Sequence, residues 1–371
     1  RGSYGETGND AILRDDEQDY YPSQPLYGLG VNNGTEAGLY YSTMANTNLK
    51  WETQVSSDIA IEFGLFGKLT GSLEYFRKAS RDLLFDVSQP ASSGVTSIVQ
   101  NIGKVQNQGI EIDLNYEILN HKDWKVSVGG NATYIKNKLT KLPDINRENG
   151  IISGTKKYME GHSIYDFWLR QWWGVDPETG DGLWLFDAEN NTNDQGQISA
   201  AAQKTLVERN GQTLTNSYSY AKYDYSGSAV PKVYGGFGTT VTAYGFDFSL
   251  SFAYQLGGRI WDYTYQDLMS GQSKGAALHV DMLNRWTPNN KNTDVPRRNI
   301  QDQAATNYSS DRWLTSSNYL SLQNITFGYT LPKTLTRKIQ IDGIRVYFVA
   351  DNVALLTARK GMDPRQSYTN A

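Results

Sequence analysis

The sequence predicts an all-β chain, specifically an antiparallel transmembrane β-barrel, on three observations. Polar and apolar residues alternate over many stretches. The stretches join in pairs through short connections, and long polar, aromatic-rich segments separate the pairs. Successive side chains leave a strand on opposite sides of its sheet, so alternation means two different environments. Short turns at one end and long loops at the other are the pattern of a membrane barrel.

Five hairpins are expected. The first runs from about Trp51 to Lys78, with Ile59, Ile61, Phe63 and Leu65 on one face, a turn at Gly67-Lys68, and Leu73 and Tyr75 continuing that face. The second pairs GIEIDLNYEIL with WKVSVGGNATYI. Here Ile110, Ile112, Leu114 and Tyr116 alternate with Glu111, Asp113 and Asn115. Helical spacing explains neither segment. The third joins IYDFWLRQWWGV to LWLF through DPETGDG. The fourth, Phe237 to Gln255, turns around Tyr244-Gly245 and sets Phe246, Phe248, Leu250, Phe252 and Tyr254 against Asp247, Ser249, Ser251 and Ala253. The fifth joins NYLSLQNITFGYTL, where Asn324 marks an irregularity, to IRVYFVADNV.

Long connections are expected at Ala79–Gln106, Asn137–Ser163, Ala188–Lys232 and Gly257–Arg312. Loops beyond about 12–15 residues are uncommon in compact domains and usually functional. Their recurrence at every second connection puts the short turns on the periplasmic side and the long loops outside. RGSYGE reads as the end of an outward strand, and Ile344–Ala350 as another. The expectation is therefore about eleven strands of a larger closed sheet, with one closing strand missing.

Composition narrows the function. With 35 Lys and Arg against 39 Asp and Glu in 371 residues, the net charge is −4. That balance gives no basic face for nucleic acid. Cysteine is absent, which excludes disulfides, cysteine zinc clusters and thiol catalysis. No apolar run reaches the roughly 20 residues of a transmembrane helix. The negative mean hydropathy does not argue against a barrel, which spends only alternate strand residues on lipid. His121, His162 and His279 lack ligand spacing, and no nucleophile elbow or phosphate loop occurs, so no enzyme, cofactor or metal is expected. GGFG at Gly235–Gly238 lacks the strand-turn-helix context of a dinucleotide site and reads as close packing within a strand. Asp176–Gly182 lacks the alternating ligands and closing Glu of a calcium loop. It reads as a turn, away from the ligand mouth.

Several motifs carry a family resemblance. NTNLKWET (Asn46–Thr53), LEYFRKASRDLLF (Leu73–Phe85), NIGKVQNQGIEIDLNY (Asn101–Tyr116), GVDPETGDGLW (Gly174–Trp184), LSLQNITFGYTLP and VYFVADNVALLT followed by GMDPRQSY resemble the barrel of SusC/RagA-type TonB-dependent transporters of Bacteroidetes. The resemblance implies an outer-membrane protein with an N-terminal plug and a 22-stranded barrel, residues 1–371 being about the C-terminal half of that barrel. It also implies energy-driven import of an oligosaccharide or peptide. The expected partners are a SusD-like surface lipoprotein as lid, membrane lipid, and TonB-ExbB-ExbD through segments outside this chain.

The expected substrate-binding residues lie in the long loops: Tyr218, Tyr220 and Tyr223, with Tyr225, in SYSYAKYDY, and Trp261, Asp262, Tyr263 and Tyr265 in RIWDYTYQD. Aromatic rings stack on sugars while carboxylates bind hydroxyls; the same residues suit an upper interfacial girdle. Trp172 and Trp173, beside a turn placed on the periplasmic side, are expected in the lower girdle. The rival readings are a passive porin or adhesin barrel, which would lack the plug, and a soluble carbohydrate-binding β-sandwich or propeller, which would have comparable loops at both ends.

Overall fold

The computed structural model describes residues 1–9, 13–14, 17–18, 20–21, 23–30, 34–36, 38–89, 91–95, 97–270, 275, 277–298, 307–359 and 361–366. Nine strands form one antiparallel meander: β1 (Gly2–Asn9), β2 (Glu52–Leu65), β3 (Leu69–Ser88), β4 (Ser97–His121), β5 (Trp124–Lys141), β6 (Val233–Ala243), β7 (Phe246–Leu256), β8 (Tyr319–Thr330) and β9 (Arg345–Thr357). Each strand of this wall pairs with its chain neighbours.

The register explains why the alternation exists. One row of opposed residues reads Ile61, Leu73, Ile112, Ala132, Gly235, Tyr254 and Leu320. The adjacent row reads Glu62, Ser72, Asp113, Asn131, Gly236, Ala253 and Ser321. Directly opposed residues share a face, so the wall is apolar on one side and polar on the other. Ile59 and Ile61 are each 65% exposed. A contiguous apolar surface of this extent requires a nonaqueous cover.

The tight turns follow from backbone conformation. Tyr244 and Gly245 both have positive φ, 50° and 89°, the I′ geometry whose twist matches that of the flanking strands. Phe66 and Gly67 do the same at 56° and 65°, one residue before the expected position. Trp124 packs edge-on to Tyr244, with centroids 5.8 Å apart, so this pair, and not Trp172 and Trp173, supplies the aromatic rim at the short-turn edge. The irregularity expected at Asn324 is a register shift between Leu322 and Asn324. GGFG is close packing, as expected: a Cβ on Gly235 would stand 2.1 Å from the Asn131 carbonyl oxygen.

Three expectations are corrected. First, β5 pairs directly with β6, Tyr134 opposite Val233, so residues 142–232 lie outside the wall. The expected third hairpin is divided between two small sheets. Asp166–Arg170 joins Ile151–Ser153, Lys156–Tyr158 and Tyr223–Ser228, while Trp172–Val175 and Gly182–Leu185 join Leu206–Arg209 and Gln212–Thr215. Its strands have 5, 4 and 4 residues, too few for the ~9–11 that cross a bilayer. Protein covers both sides of the first: Phe167 and Leu169 are 0% and 2% exposed, and Trp168 lies between Lys157 and Tyr223. Among the described residues the wall therefore has nine strands and not the expected eleven; because the displaced strands are a pair, every later strand keeps its expected direction.

Second, Trp172, Trp173 and Asp176–Gly182 move to the long-loop end. Third, the long connection expected over Ala79–Gln106 reduces to residues 89–96, because β3 and β4 stay paired out to Ser88 and Ser97.

Candidate functional site at the long-loop end

The described residues of the segments 142–232 and 257–318 pack on each other as a cap beyond the wall. Its centre is an aromatic and cationic stack. The Trp172 amide donates to Asp311 Oδ1 (2.7 Å), and Trp172 meets Trp184 edge-on at 5.1 Å. The Arg312 guanidinium lies over Trp172 and Trp313, 4.7 and 4.6 Å from their ring centres. Burial lowers the Arg312 pKa to about 10. Burial also raises that of Asp311, against the lowering effect of the Trp172 amide.

The DPETGDG turn is tied into the same body. Asp176, 1% exposed, accepts two bonds from Arg209 Nη2 and a third from its Nε, at 3.0 to 3.2 Å. Thr179 Oγ1 and the Glu178 amide also donate to it. Asp181 pairs with Arg297 at 2.8 Å. Gly180, at φ 77°, leaves room for the Trp286 ring, which a Cβ would meet at 2.4 Å. Arginine meets the turn's buried carboxylate.

The sequence-predicted binding residues fall into two groups. Trp261 donates from Nε1 to Gln266 Oε1 (2.8 Å). Asp262, 5% exposed, caps the helix Tyr263–Leu268 by accepting from the Tyr265 amide and pairs with Arg359 at 2.6 Å. Tyr265 donates to Asp281 Oδ2 (2.8 Å), lies under the Arg359 guanidinium and packs edge-on to Trp313. Burial raises its pKa, reinforced by Asp281. These three residues hold the cap together, whereas Tyr263 is 71% exposed.

In the second group Tyr218 stacks on Tyr308 at 4.0 Å and beneath the Arg170 guanidinium at 3.4 Å. Arg170 Nη1 donates to the Tyr223 hydroxyl, and Tyr223 lies parallel to Trp168. Tyr220 accepts the Asp187 amide through its carbonyl. Tyr225 stacks on His162 at 3.9 Å, with its pKa pushed up to about 12 by burial. The arginines Arg170, Arg312 and Arg359, which organise these rings, and Arg209, which holds Asp176, are not singled out by the sequence. The signal available was arginine beside clustered Trp and Tyr.

Below the cap, the polar face of the wall carries a recess of about 610 Å³, lined by Asn107, Ile135, Asn137, Tyr234, Gln255 and Tyr319 from the strands and closed by Tyr165, Val230 and Pro231. Ile135 lies eleven residues beyond Trp124. At ~3.3 Å per residue and a tilt of roughly 40°, the recess sits about 28 Å above the short-turn edge. None of its residues was predicted as a ligand contact, because the alternation that placed them on the polar face does not say which of them a loop will roof.

The comparisons agree with this architecture. Residues 1–196 match the family described as TonB dependent receptor-like, beta-barrel. The chain is 31% identical, over its whole length, to 36% of TonB-dependent receptor P3 of Formosa agariphila. It is 29% identical, over 88% of its length, to 31% of TonB-dependent receptor SusC of Bacteroides thetaiotaomicron, and thus spans about a third of these curated relatives. In structure, 98% of the chain superposes on 38% of a chain of the RagAB peptide transporter, with a TM-score of 0.75 and 26% identity. Apolar wall, one-sided long loops and family match together place the chain in the TonB-dependent receptor β-barrel family, as an outer-membrane barrel of the SusC/RagA type.

Proposed function

We propose that the chain is part of the barrel of a TonB-dependent importer that carries an oligosaccharide across the outer membrane, with a SusD-like lipoprotein closing the mouth. The observation that carries this reading is the asymmetry of the molecule: an aromatic and cationic cap stands at the long-loop end and, among the described residues, nothing comparable at the short-turn end. On this reading the chain corresponds to about the C-terminal half of a 22-stranded barrel, and the plug and the TonB-ExbB-ExbD contact lie elsewhere in the protein. Cargo is captured under the cap and released by plug movement, without covalent chemistry. Tyr263 and the rings around Arg170 are the aromatic surfaces offered to cargo or lid.

The test is uptake of a fluorescent oligosaccharide by intact cells carrying the whole transporter and its lipoprotein. Uptake should stop when a protonophore removes the inner-membrane gradient. Uptake indifferent to the protonophore would make the barrel a passive pore. A second reading, peptide import, is favoured by the structural similarity to a peptide transporter. It predicts that a labelled peptide replaces the oligosaccharide in the same assay.

A further inference from the structure

We propose that the recess beneath the cap is a subsite for uncharged pyranose units of the cargo, which makes the importer selective for neutral over acidic glycans. The inference rests on the oligosaccharide reading above and narrows it.

Three properties carry it. The first is placement: Asn107, Asn137, Tyr234, Gln255 and Tyr319 share the polar face of the wall by register, and the recess opens where that face meets the cap. Its volume is within the ~300–1,000 Å³ of small-ligand sites.

The second is chemistry. Tyr165 and Tyr234 are 42% and 39% exposed, and Tyr319 is half-buried. Among the described residues none of the three hydroxyls has a hydrogen-bonding partner in the protein, so each can serve a ligand. Flat rings with free hydroxyls match a sugar, which has an apolar ring face edged by hydroxyls. Among the described residues no carboxylate, ammonium or guanidinium lines the recess; Arg365 and Asp363, which act on the Tyr319 hydroxyl, are paired with each other at 2.6 Å, and the Lys156 ammonium behind Tyr165 is engaged by the Tyr165 carbonyl and the Phe167 ring. Desolvating a uronate or sulfate there without a counter-charge would be costly.

The third is rigidity. The Asn137 amide donates to Asn107 Oδ1 (2.8 Å) and accepts from Ser163 Oγ (2.8 Å) and the Ile164 amide (3.0 Å). Gln255, 4% exposed, donates to both the carbonyl and the hydroxyl of Ser317. The backbone of Tyr165 is held on both sides: Ser163 Oγ accepts its amide, and its carbonyl accepts from Ala229 and from Lys156 Nζ. The tyrosine rings thus stand on a fixed frame, and binding orders little that is not already ordered.

The test uses the whole transporter with its lipoprotein, purified in detergent. It is probed with an array of neutral hexose oligomers, uronic-acid oligomers of equal length, and uncharged hexapeptides. Tyr165→Ala and Tyr234→Ala are compared with Phe66→Ala at the short-turn edge, each checked for barrel folding by heat-modifiable gel migration. Neutral oligomers should bind, and each recess variant should weaken that binding roughly two- to twelvefold, the ~0.5–1.5 kcal/mol of an aromatic contact, while Phe66→Ala changes nothing. If neutral oligomers bind but both variants bind like the parent, the recess is not the subsite and the import reading stands. If uronate oligomers bind as tightly as neutral ones, the selectivity is wrong. Binding of peptides alone, or of no neutral oligomer, overturns the subsite together with the oligosaccharide reading.

Discussion

The wall and the cap are written in the same residues and obey different rules. In the wall, β6 and β7 alternate over 11 residues each, with one face apolar and outward. In the cap, Asp166–Arg170 alternates as cleanly over 5 residues, yet protein covers it on both sides. Alternation states that a strand has two environments; length decides whether one of them can be a bilayer. The two regions also treat charge differently. The wall leaves Glu62, Glu111, Asp113 and Asp247 on the polar face, while the cap buries Asp176 and Asp262 on arginine and half-buries Asp311.

If wall and cap are separate stability units, damage to one should spare the other. The largest effect is expected from Arg209→Ala, which leaves the Asp176 carboxylate buried without its partner, at about 3–5 kcal/mol. Hydrogen exchange in the detergent-solubilised transporter should show residues 172–185 losing protection while residues 233–256 keep theirs. Equal loss in both would merge the two units.

Next comes Leu250→Arg, which puts a cation on the apolar face of β7 at about 2–4 kcal/mol. The neighbouring Ser251→Arg points to the polar face and should cost far less. Urea titration of the refolded barrel in lipid separates them, and similar midpoints would mean the faces are assigned wrongly. Gly235→Ala, forced against the Asn131 carbonyl, should lower wall stability by about 1–3 kcal/mol in the same titration without altering cap exchange.

The smallest effect concerns Lys156, 6% exposed, whose ammonium lies 3.2 Å from the Phe167 ring centre. Burial lowers its pKa to about 8, the nearby Asp166 opposing this. Below that pH both folded and unfolded forms hold the proton. Between about 8 and the unperturbed value the unfolded form binds more, so cap stability rises with pH across that window. Exchange protection around residues 151–170 should rise accordingly, and Lys156→Met should flatten the rise.

Much of the wall is legible because a single strand and its two faces carry the signal: Phe246–Tyr254, Ile110–Tyr116 and Ile59–Leu65 each share one face in the register, as their alternation predicts. The third hairpin is not legible from alternation alone, because DFWLR has the right period but only 5 residues, too few to cross a bilayer. The cap site was only partly legible. Aromatic density located it, but the burial of Tyr265 and the exposure of Tyr263 depend on Trp313, Asp281 and Arg359, which lie far along the chain. The recess was illegible for the same reason, since its roof, Tyr165 and Pro231, comes from outside the strands it covers.

The direct pairing of β5 with β6, and of β7 with β8, bears on how the wall assembles. The hairpins β2–β3, β4–β5, β6–β7 and β8–β9 each close over a short connection. The β5–β6 and β7–β8 seams can form only after residues 142–232 and 257–318 have been looped out. Loop-closure entropy penalises those two seams most, and contacts distant in sequence form slowly. Hairpin modules should therefore appear first and zip together last along the two seams beneath the cap. An early collapse of the cap, held by Trp172–Asp311 and Arg297–Asp181, would shorten both loops and act as a template for closing the wall below it.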